Sequence, residues 1–301
     1  MRKERIQKGF TIIELLTVMS IIIILMGVLV PALSRVRRFA RVVAQKHQFY
    51  EIDKGIELYR TAHQDTYPDS NANDIVPEPY CGAMKLCEAM LGQDGMGLHP
   101  SSLFLASGKD GIATDACDLY PLDLCVSIDH TLYSGNLRER TPYMDPENIR
   151  ANRLIDLFRG DTAAIAPFVD TYKNAVISDV FVRVSSYCTD SNNAGVKLGM
   201  PVLYYKADSS KLSHDVGNPD NSDNIYSYLD NDVLLSLGLP WDTSATVKHP
   251  MYDDPTKFYE MTKNKKITSM SKPHNADSYI LISAGWDGLY GTQDDVFNFS
   301  D

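Results

Sequence analysis

The sequence predicts an α+β protein in which a long N-terminal helix packs on a small antiparallel β-sheet. An apolar run from Phe10 to Leu33 continues into a stripe of apolar residues at helical spacing, and both predict the helix. Segments rich in β-branched and aromatic residues predict the strands: DVFVRVSSY, MPVLYYKAD and SYILIS. The chain of 301 residues is long enough for one or two domains with a sizeable core.

Charge is distributed unevenly along the chain. The formal net charge is −10. The first nine residues contain four basic residues and one acid and carry +3, so the rest of the chain carries −13 (−10 minus +3). An acidic body repels phosphates, and nucleic acid is therefore not expected as a partner.

The apolar run is long enough to cross a membrane. Its 24 residues span about 36 Å as a helix, against a hydrocarbon core of about 30 Å. Basic residues before the run place the N-terminus in the cytoplasm, although arginines after the run make the charge difference small. A cleaved secretory signal with a site at Ala32-Leu33-Ser34 and a plain membrane anchor are two alternatives. Neither explains Glu14, a carboxylate that is costly to place in hydrocarbon.

The helix is expected to continue beyond the membrane as an amphipathic half, residues 34–63. Its apolar stripe includes Phe49, Ile52, Ile56 and Tyr59. The helix should end near His63, before a Tyr-Pro pair that disfavours helical backbone. Gly27 and Pro31 are the positions where a kink is expected.

The middle of the chain predicts shorter elements. CGAMKLCEAMLG and NIRANRLIDLF have the pattern of short helices, HDVGNPDNSDN is expected to be a polar loop, and FYEMTKNKKITS a connector. No Walker-type glycine loop, GxSxG or HExxH pattern occurs in the sequence. No enzymatic activity is therefore predicted.

Five cysteines are present, and no two of them have CxxC spacing. A zinc ribbon or a thioredoxin-type site is thus not indicated. If the body is exported, the short-range pairs Cys81–Cys87 and Cys117–Cys125 are candidate disulfides, which leaves Cys188 unpaired. Connectivity itself is not determined by the sequence.

The C-terminal segment AGWDGLYGTQDD combines three glycines with three acids, Asp287, Asp294 and Asp295. Glycines allow the chain to fold back, so that carboxylates and carbonyls point inward. Calcium accepts such an all-oxygen site with irregular geometry, although the spacing is not that of an EF-hand. A solvated acidic turn is the alternative.

The N-terminal segment KGFTIIELL resembles the class III signal of type IV pilins and type II secretion pseudopilins. The resemblance implies that a prepilin peptidase removes residues 1–9 as a leader by cutting after Gly9, and that the new N-terminus, Phe10, is methylated. Residues 10–33 would then form the transmembrane and filament-core half of the helix, and residues 64–301 a head. In a filament, the carboxylate of Glu14 would pair with the Phe10 ammonium of a neighbouring subunit and specify the stagger.

The C-terminal segment SAGWDGLYGTQDDV is similar to the calcium loop of the major type II secretion pseudopilin. The resemblance places a structural calcium site in about residues 280–301. It implies side-chain ligands from Asp287, Asp294 and Asp295, and carbonyl ligands from the region of Ala284, Leu289 and Thr292. The chain departs from this family in its length, about twice that of a major pseudopilin, which implies a large insertion in the head.

These resemblances predict a non-enzymatic filament subunit of a type II secretion pseudopilus or a type IV pilus-like fibre. It would cross the inner membrane once, with a cytoplasmic N-terminus and a periplasmic head, before assembly. Its partners would be further copies of itself, the prepilin peptidase, an inner-membrane assembly platform and other pseudopilins. A pilus-borne adhesin or sugar-binding subunit is an alternative, and a membrane-tethered enzyme is another.

Overall fold

The structure is a computed structural model that describes residues 11–72, 80–100, 102–106, 108, 119–120, 140–145, 149–158, 175–189, 195–241 and 247–300, with the backbone alone at 185–189. The chain forms two compact units, Met1–Val43 and Ala44–Asp301. The first helix, α1, covers Ile12–Ala62 and contributes to both units. The boundary between the units therefore lies inside the helix, whereas the sequence predicted a head that begins at residue 64.

In the first unit, α1 continues without interruption through Pro31. Residues 11–40 are exposed along this length. The helix extends into the second unit and ends there at Ala62, one residue before the predicted end at His63.

In the second unit, one face of α1 is buried. The buried residues recur every three or four positions: Gln45, Phe49, Ile52, Gly55, Ile56 and Tyr59. They include all four members of the predicted apolar stripe, because this face packs on the rest of the unit. Polar contacts reinforce the packing, since Gln48 Nε2 donates to the carbonyl of Ser178 at 2.9 Å and Val180 N–H donates to Gln45 Oε1 at 2.9 Å.

The strands of the second unit form three small antiparallel sheets in the described residues. Strands β1 (Ala151–Arg153) and β2 (Ala175–Ile177) make one pair, and β3 (Arg183–Thr189) and β4 (Gly195–Leu198) another. The third sheet has the order β5-β6-β7, with strands Leu203–Lys206, Tyr279–Ser283 and Val296–Phe297. A long helix with small antiparallel sheets confirms the predicted α+β class.

The three-stranded sheet, called here the central sheet, has β6 as its middle strand, which pairs with both β5 and β7. Leu203 lies opposite Ile282 between β5 and β6, and Ser283 lies opposite Val296 between β6 and β7. All five residues of β6 are buried. Such a continuously buried strand indicates that both faces of the sheet are covered.

Short helices surround this sheet. They are α2 (Gly82–Leu91), α3 (Leu154–Leu157), α4 (Asp232–Leu235), α5 (Pro250–Asp253) and α6 (Thr256–Thr262), with a 3₁₀ turn at Tyr228–Asn231. Helix α2 confirms the prediction for CGAMKLCEAMLG, and every residue in it is buried. The predicted connector FYEMTKNKKITS begins within α6.

The prediction of a helix over NIRANRLIDLF was wrong for its first half. Ala151–Arg153 is strand β1, and only Leu154–Leu157 is helical. The reason is tertiary: Ala151 pairs with Ile177 and Arg153 with Ala175, residues more than twenty positions away. A local pattern does not show such a partner.

The predicted disulfide between Cys81 and Cys87 was also wrong. Both residues are buried free thiols. Cys81 is the N-cap of α2 and Cys87 lies inside that helix. Six residues of helix rise about 9 Å, more than the roughly 7 Å between Cα atoms that a disulfide bridges. Cys117, Cys125 and the side chain of Cys188 lie outside the described residues.

Candidate functional site

The N-terminal candidate site is built on the first turn of α1. Thr11 precedes the helix, and its backbone N–H and hydroxyl group both donate to Glu14 Oε2, at 2.9 and 2.7 Å. Glu14 N–H in turn approaches Thr11 Oγ1 at 3.3 Å. This reciprocal arrangement is a capping box, which satisfies backbone donors at the start of a helix.

The capping box gives Glu14 a local role that our sequence analysis missed. The signal was present in the sequence as Thr11-x-x-Glu14, the threonine and glutamate spacing typical of a helix start. Glu14 also lies at the positive end of the helix dipole, where a carboxylate is favourable. Gly9 and Phe10, the predicted processing residues, lie outside the described residues.

Helix α1 has the length and composition to cross a membrane, and its most apolar window is fully exposed within the chain. The large apolar side chains that follow Glu14, from Leu15 to Val30, are all exposed, among them Leu16, Val18 and Ile21. Such a surface needs hydrocarbon or other apolar helices around it.

The second candidate site is the C-terminal loop that joins β6 to β7, residues 284–295, called here the acidic loop. Two of its glycines have left-handed backbone that the turn requires, Gly285 at φ 65° and Gly291 at φ 92°. A Cβ atom on Gly285 would lie 2.1 Å from the carbonyl oxygen of Asp294. A side chain at position 285 would therefore push the two ends of the loop apart.

Backbone N–H groups hold one oxygen of each acid in the loop. Asp294 Oδ2 accepts from the N–H groups of Trp286 and Asp287, at 2.6 and 3.0 Å. Asp287 Oδ1 accepts from Leu289 at 2.7 Å, and Asp295 Oδ2 accepts from Gly291 at 2.8 Å. All three acids therefore have a carboxylate oxygen bonded to the backbone of the same loop.

The remaining oxygens converge on Thr292. Its hydroxyl group donates to Asp294 Oδ1 at 2.7 Å and lies 3.4 Å from Asp295 Oδ1. The Leu289 carbonyl is 3.3 Å from the same hydroxyl group. Four of the six predicted ligand residues, Asp294, Asp295, Leu289 and Thr292, therefore meet at this hydroxyl group. Another, Ala284, lies at the end of β6 in the hydrophobic core.

The acids interact electrostatically. Burial raises the pKa of Asp287, and the charge of Asp294 raises it further. Burial and the charges of Asp287 and Asp294 also raise the pKa of Asp295 well above its usual range. Burial acts in the same direction on the pKa of Asp294, but hydrogen bonds from Thr292 and two backbone N–H groups outweigh it and lower that pKa. A bound cation would relieve this repulsion.

Distant residues support the acidic loop, and sequence reasoning missed them. Arg183 Nη2 donates to the carbonyl of Trp286 at 2.5 Å, and its guanidinium lies 4.8 Å from the ring of Trp241. His249 Nδ1 accepts from the N–H of Tyr290 at 3.3 Å. These partners are 41 or more positions from the loop residues they contact, so no local pattern indicates them.

The donor chemistry of the loop fits a hard cation, since it offers carboxylates, a hydroxyl group and a carbonyl. In the part of the chain that the structure describes, however, no group of three or more His, Cys, Asp or Glu side chains has the arrangement of a metal site. The carboxylates are instead bonded to N–H groups and to the Thr292 hydroxyl. A cation at this point would replace the hydrogen bonds of that hydroxyl.

The comparisons with known proteins concern the N-terminal segment. Residues 5–30 match the model of the prokaryotic N-terminal methylation motif. The match defines a prepilin-type N-terminus, as found in type IV pilin-like proteins, and implies processing by a prepilin peptidase and assembly into a filament. No curated protein and no solved structure matches the chain.

Proposed function

We propose that the chain is a non-enzymatic structural subunit of a type II secretion pseudopilus or a type IV pilus-like filament. In this proposal, the prepilin peptidase cuts between Gly9 and Phe10, and the mature subunit remains in the inner membrane through α1 until it assembles. The predicted head, residues 64–301, would face the periplasm. The single observation that carries the proposal is the methylation motif at the start of a 51-residue helix.

Glu14, in the first turn of α1, is the residue that would guide assembly. Glu14 would pair with the new ammonium group of Phe10 in a neighbouring subunit, which becomes available only after cleavage. Both charges are costly to leave unpaired among apolar helices. A subunit in the wrong axial position would leave one of them unpaired, so the pair would select the stagger of the filament.

Mass spectrometry of the protein purified from its own membranes tests processing. We expect a mature chain that begins at Phe10 and carries one added methyl group. The matched variant Gly9→Leu should retain Met1, because the peptidase requires close approach of the backbone at this position. A wild-type chain that begins at Arg35, as a secretory signal would give, or that retains Met1 would contradict the proposal.

We also propose that the acidic loop binds one calcium ion. Asp287, Asp294 and Asp295 would provide carboxylate oxygens, and Leu289 and Thr292 further oxygens. The ion would neutralise a group of mutually repelling carboxylates and hold the chain between β6 and β7. The proposal is supported by the contacts of Asp294, Asp295 and Leu289 with the Thr292 hydroxyl, by the electrostatic interaction of Asp287 with Asp294, and by the similarity of the loop to that of the major pseudopilin.

A further inference from the structure

A cluster of arginines follows the apolar part of α1 and has no role in the function proposed above. Residues 34–43 contain four arginines, Arg35, Arg37, Arg38 and Arg41, and no acid. Arg35, Arg37 and Arg38 are exposed, and Arg41 is half-buried. The body of the chain is acidic, so this local concentration of positive charge is distinctive.

The four arginines share one side of the helix. At 100° per residue they fall within an arc of about 160°. The opposite side is apolar and consists of Leu33, Val36, Phe39 and Val43, within about 120°. In the structure Val36, Phe39 and Val43 are 61, 70 and 51% exposed. This part of α1 is therefore amphipathic, with arginines on one side and exposed apolar residues on the other.

The position of the cluster along α1 coincides with the edge of a bilayer. Arg35 lies about 35 Å from Ile12 along the helix axis, and Arg41 about 44 Å. The hydrocarbon core is about 30 Å thick, and the headgroup layer on the arginine side adds about 5–8 Å, so Arg35 lies at the level of this layer and Arg41 lies beyond it. Because helical side chains lean toward the N-terminus, the guanidinium groups reach back toward the headgroups.

We propose that the arginine side of residues 35–41 binds the phosphate groups of anionic phospholipids in the leaflet where the apolar part of α1 ends. Guanidinium groups bind phosphate through paired, charge-assisted hydrogen bonds. The proposal rests on the proposed function, because it requires that α1 lies in a membrane before assembly.

The arginines remain in the chain after the leader is removed. The leader carries +3, and the four arginines carry +4 on the other side of the apolar run. Once residues 1–9 are removed, the arginines are the main positive charge near the apolar helix. Anionic lipid on their side would compensate this positive charge.

Native mass spectrometry of the full chain tests the proposal. The purified protein is equilibrated in micelles that contain equal amounts of phosphatidylglycerol and phosphatidylcholine, and the lipids that remain bound are counted. We expect the wild type to retain phosphatidylglycerol in preference to phosphatidylcholine. A single change, Arg38→Gln, should lower the preference about fivefold, and replacement of all four arginines by glutamine should abolish it. Glutamine is a good helix former, so α1 should persist, as circular dichroism would verify.

A matched control removes the same charge from the head. Lys263, Lys265, Lys266 and Lys272 lie in one loop of the second unit, and their replacement by glutamine should leave the lipid preference unchanged. A wild type without preference, or a quadruple arginine variant that retains it, would overturn the proposal. Displacement of the lipid by an equal concentration of glycerol phosphate would also overturn it, because the site would then bind soluble phosphate. The assay needs neither cleavage nor filaments, so its failure leaves the test of processing unaffected.

Discussion

The hydroxyl group of Tyr279 donates a hydrogen bond of 2.7 Å to the carboxylate of Asp53. Asp53 lies on α1 and Tyr279 begins the central strand β6, 226 positions later. Burial raises the pKa of Asp53, and the hydrogen bond from Tyr279 partly offsets the shift. This hydrogen bond connects α1 to β6, the strand that leads into the acidic loop.

Replacement of Tyr279 by phenylalanine should therefore destabilise the second unit. The change removes one hydrogen-bond donor from the half-buried carboxylate of Asp53, which should lower the unfolding free energy by about 1–3 kcal/mol. Urea unfolding of a chain that begins at Ala44 would measure the loss. Tyr50→Phe is the matched control, since Tyr50 lies on the same helix and is 56% exposed. Equal stability of wild type and Tyr279→Phe would show that the hydrogen bond contributes nothing.

A pH dependence is expected from His249. Burial lowers the pKa of His249 to about 4, and its Nδ1 accepts a hydrogen bond from Tyr290 while Nε2 lies 3.1 Å from the carbonyl of Gly238. Between about pH 4 and 6.5 the unfolded chain binds a proton at this residue and the folded chain does not. The neutral His249 side chain therefore contributes fully to the unfolding free energy above about pH 6.5. This contribution, up to about 3 kcal/mol, is lost as the pH falls toward 4.

The measurement compares the wild type with His249→Gln at pH 7.5, 5.5 and 4.5. The difference in unfolding free energy should shrink as the pH falls, because only the wild type loses the contribution of the neutral imidazole. His47→Gln removes a histidine whose side chain is 74% exposed and should not alter the pH profile. A difference that stays constant across this range would mean that His249 is not held neutral by the fold.

Two roles of Glu14 can be separated by mutation. Glu14→Gln keeps a side chain that completes a capping box but removes the charge. Thr11→Ala removes the cap and keeps the charge. If the charge selects the stagger, Glu14→Gln should be processed normally and fail to form filaments, whereas Thr11→Ala should still form them. Filaments of Glu14→Gln at wild-type abundance in electron micrographs would assign Glu14 to capping alone.

Calcium should stabilise the second unit if the acidic loop binds it. Binding contributes about 2.7 kcal/mol at a hundredfold excess over Kd, which corresponds to a rise in Tm of about 5–10 °C for a unit of this size. Chelator should reverse the rise, and magnesium should do less because it requires a tighter octahedron. A thermal scan of the chain from Ala44 with each ion would measure these shifts.

Variants of the loop acids distinguish calcium binding at this loop from a general effect of salt on the Tm. Asp295→Asn and Asp287→Asn keep an acceptor for the backbone N–H groups but remove one charge, so they should fold without calcium and lose its effect. Asp223→Ala, in an exposed loop, should respond as the wild type does. If calcium leaves the wild-type Tm unchanged, the loop is a solvated turn held by its own hydrogen bonds.

The sequence by itself determined the features that depend on near neighbours. The apolar run and its basic flank, the end of α1 near His63, helix α2 and strand β6 were all evident from local periodicity and composition. The glycines and acids of residues 284–295 likewise indicated an inward-facing acidic loop, because turn chemistry acts over a few residues.

Only the tertiary structure decided the features that depend on distant partners. It made Ala151–Arg153 a strand by pairing it with β2, and it kept Cys81 and Cys87 apart by placing Cys81 at the N-cap of α2 and Cys87 inside that helix. It also supplied Arg183 and His249 as supports for the acidic loop. The physical reason is that pairing and burial are set by contacts between residues far apart in the chain, whereas helix caps and turns are set by residues three or four positions apart.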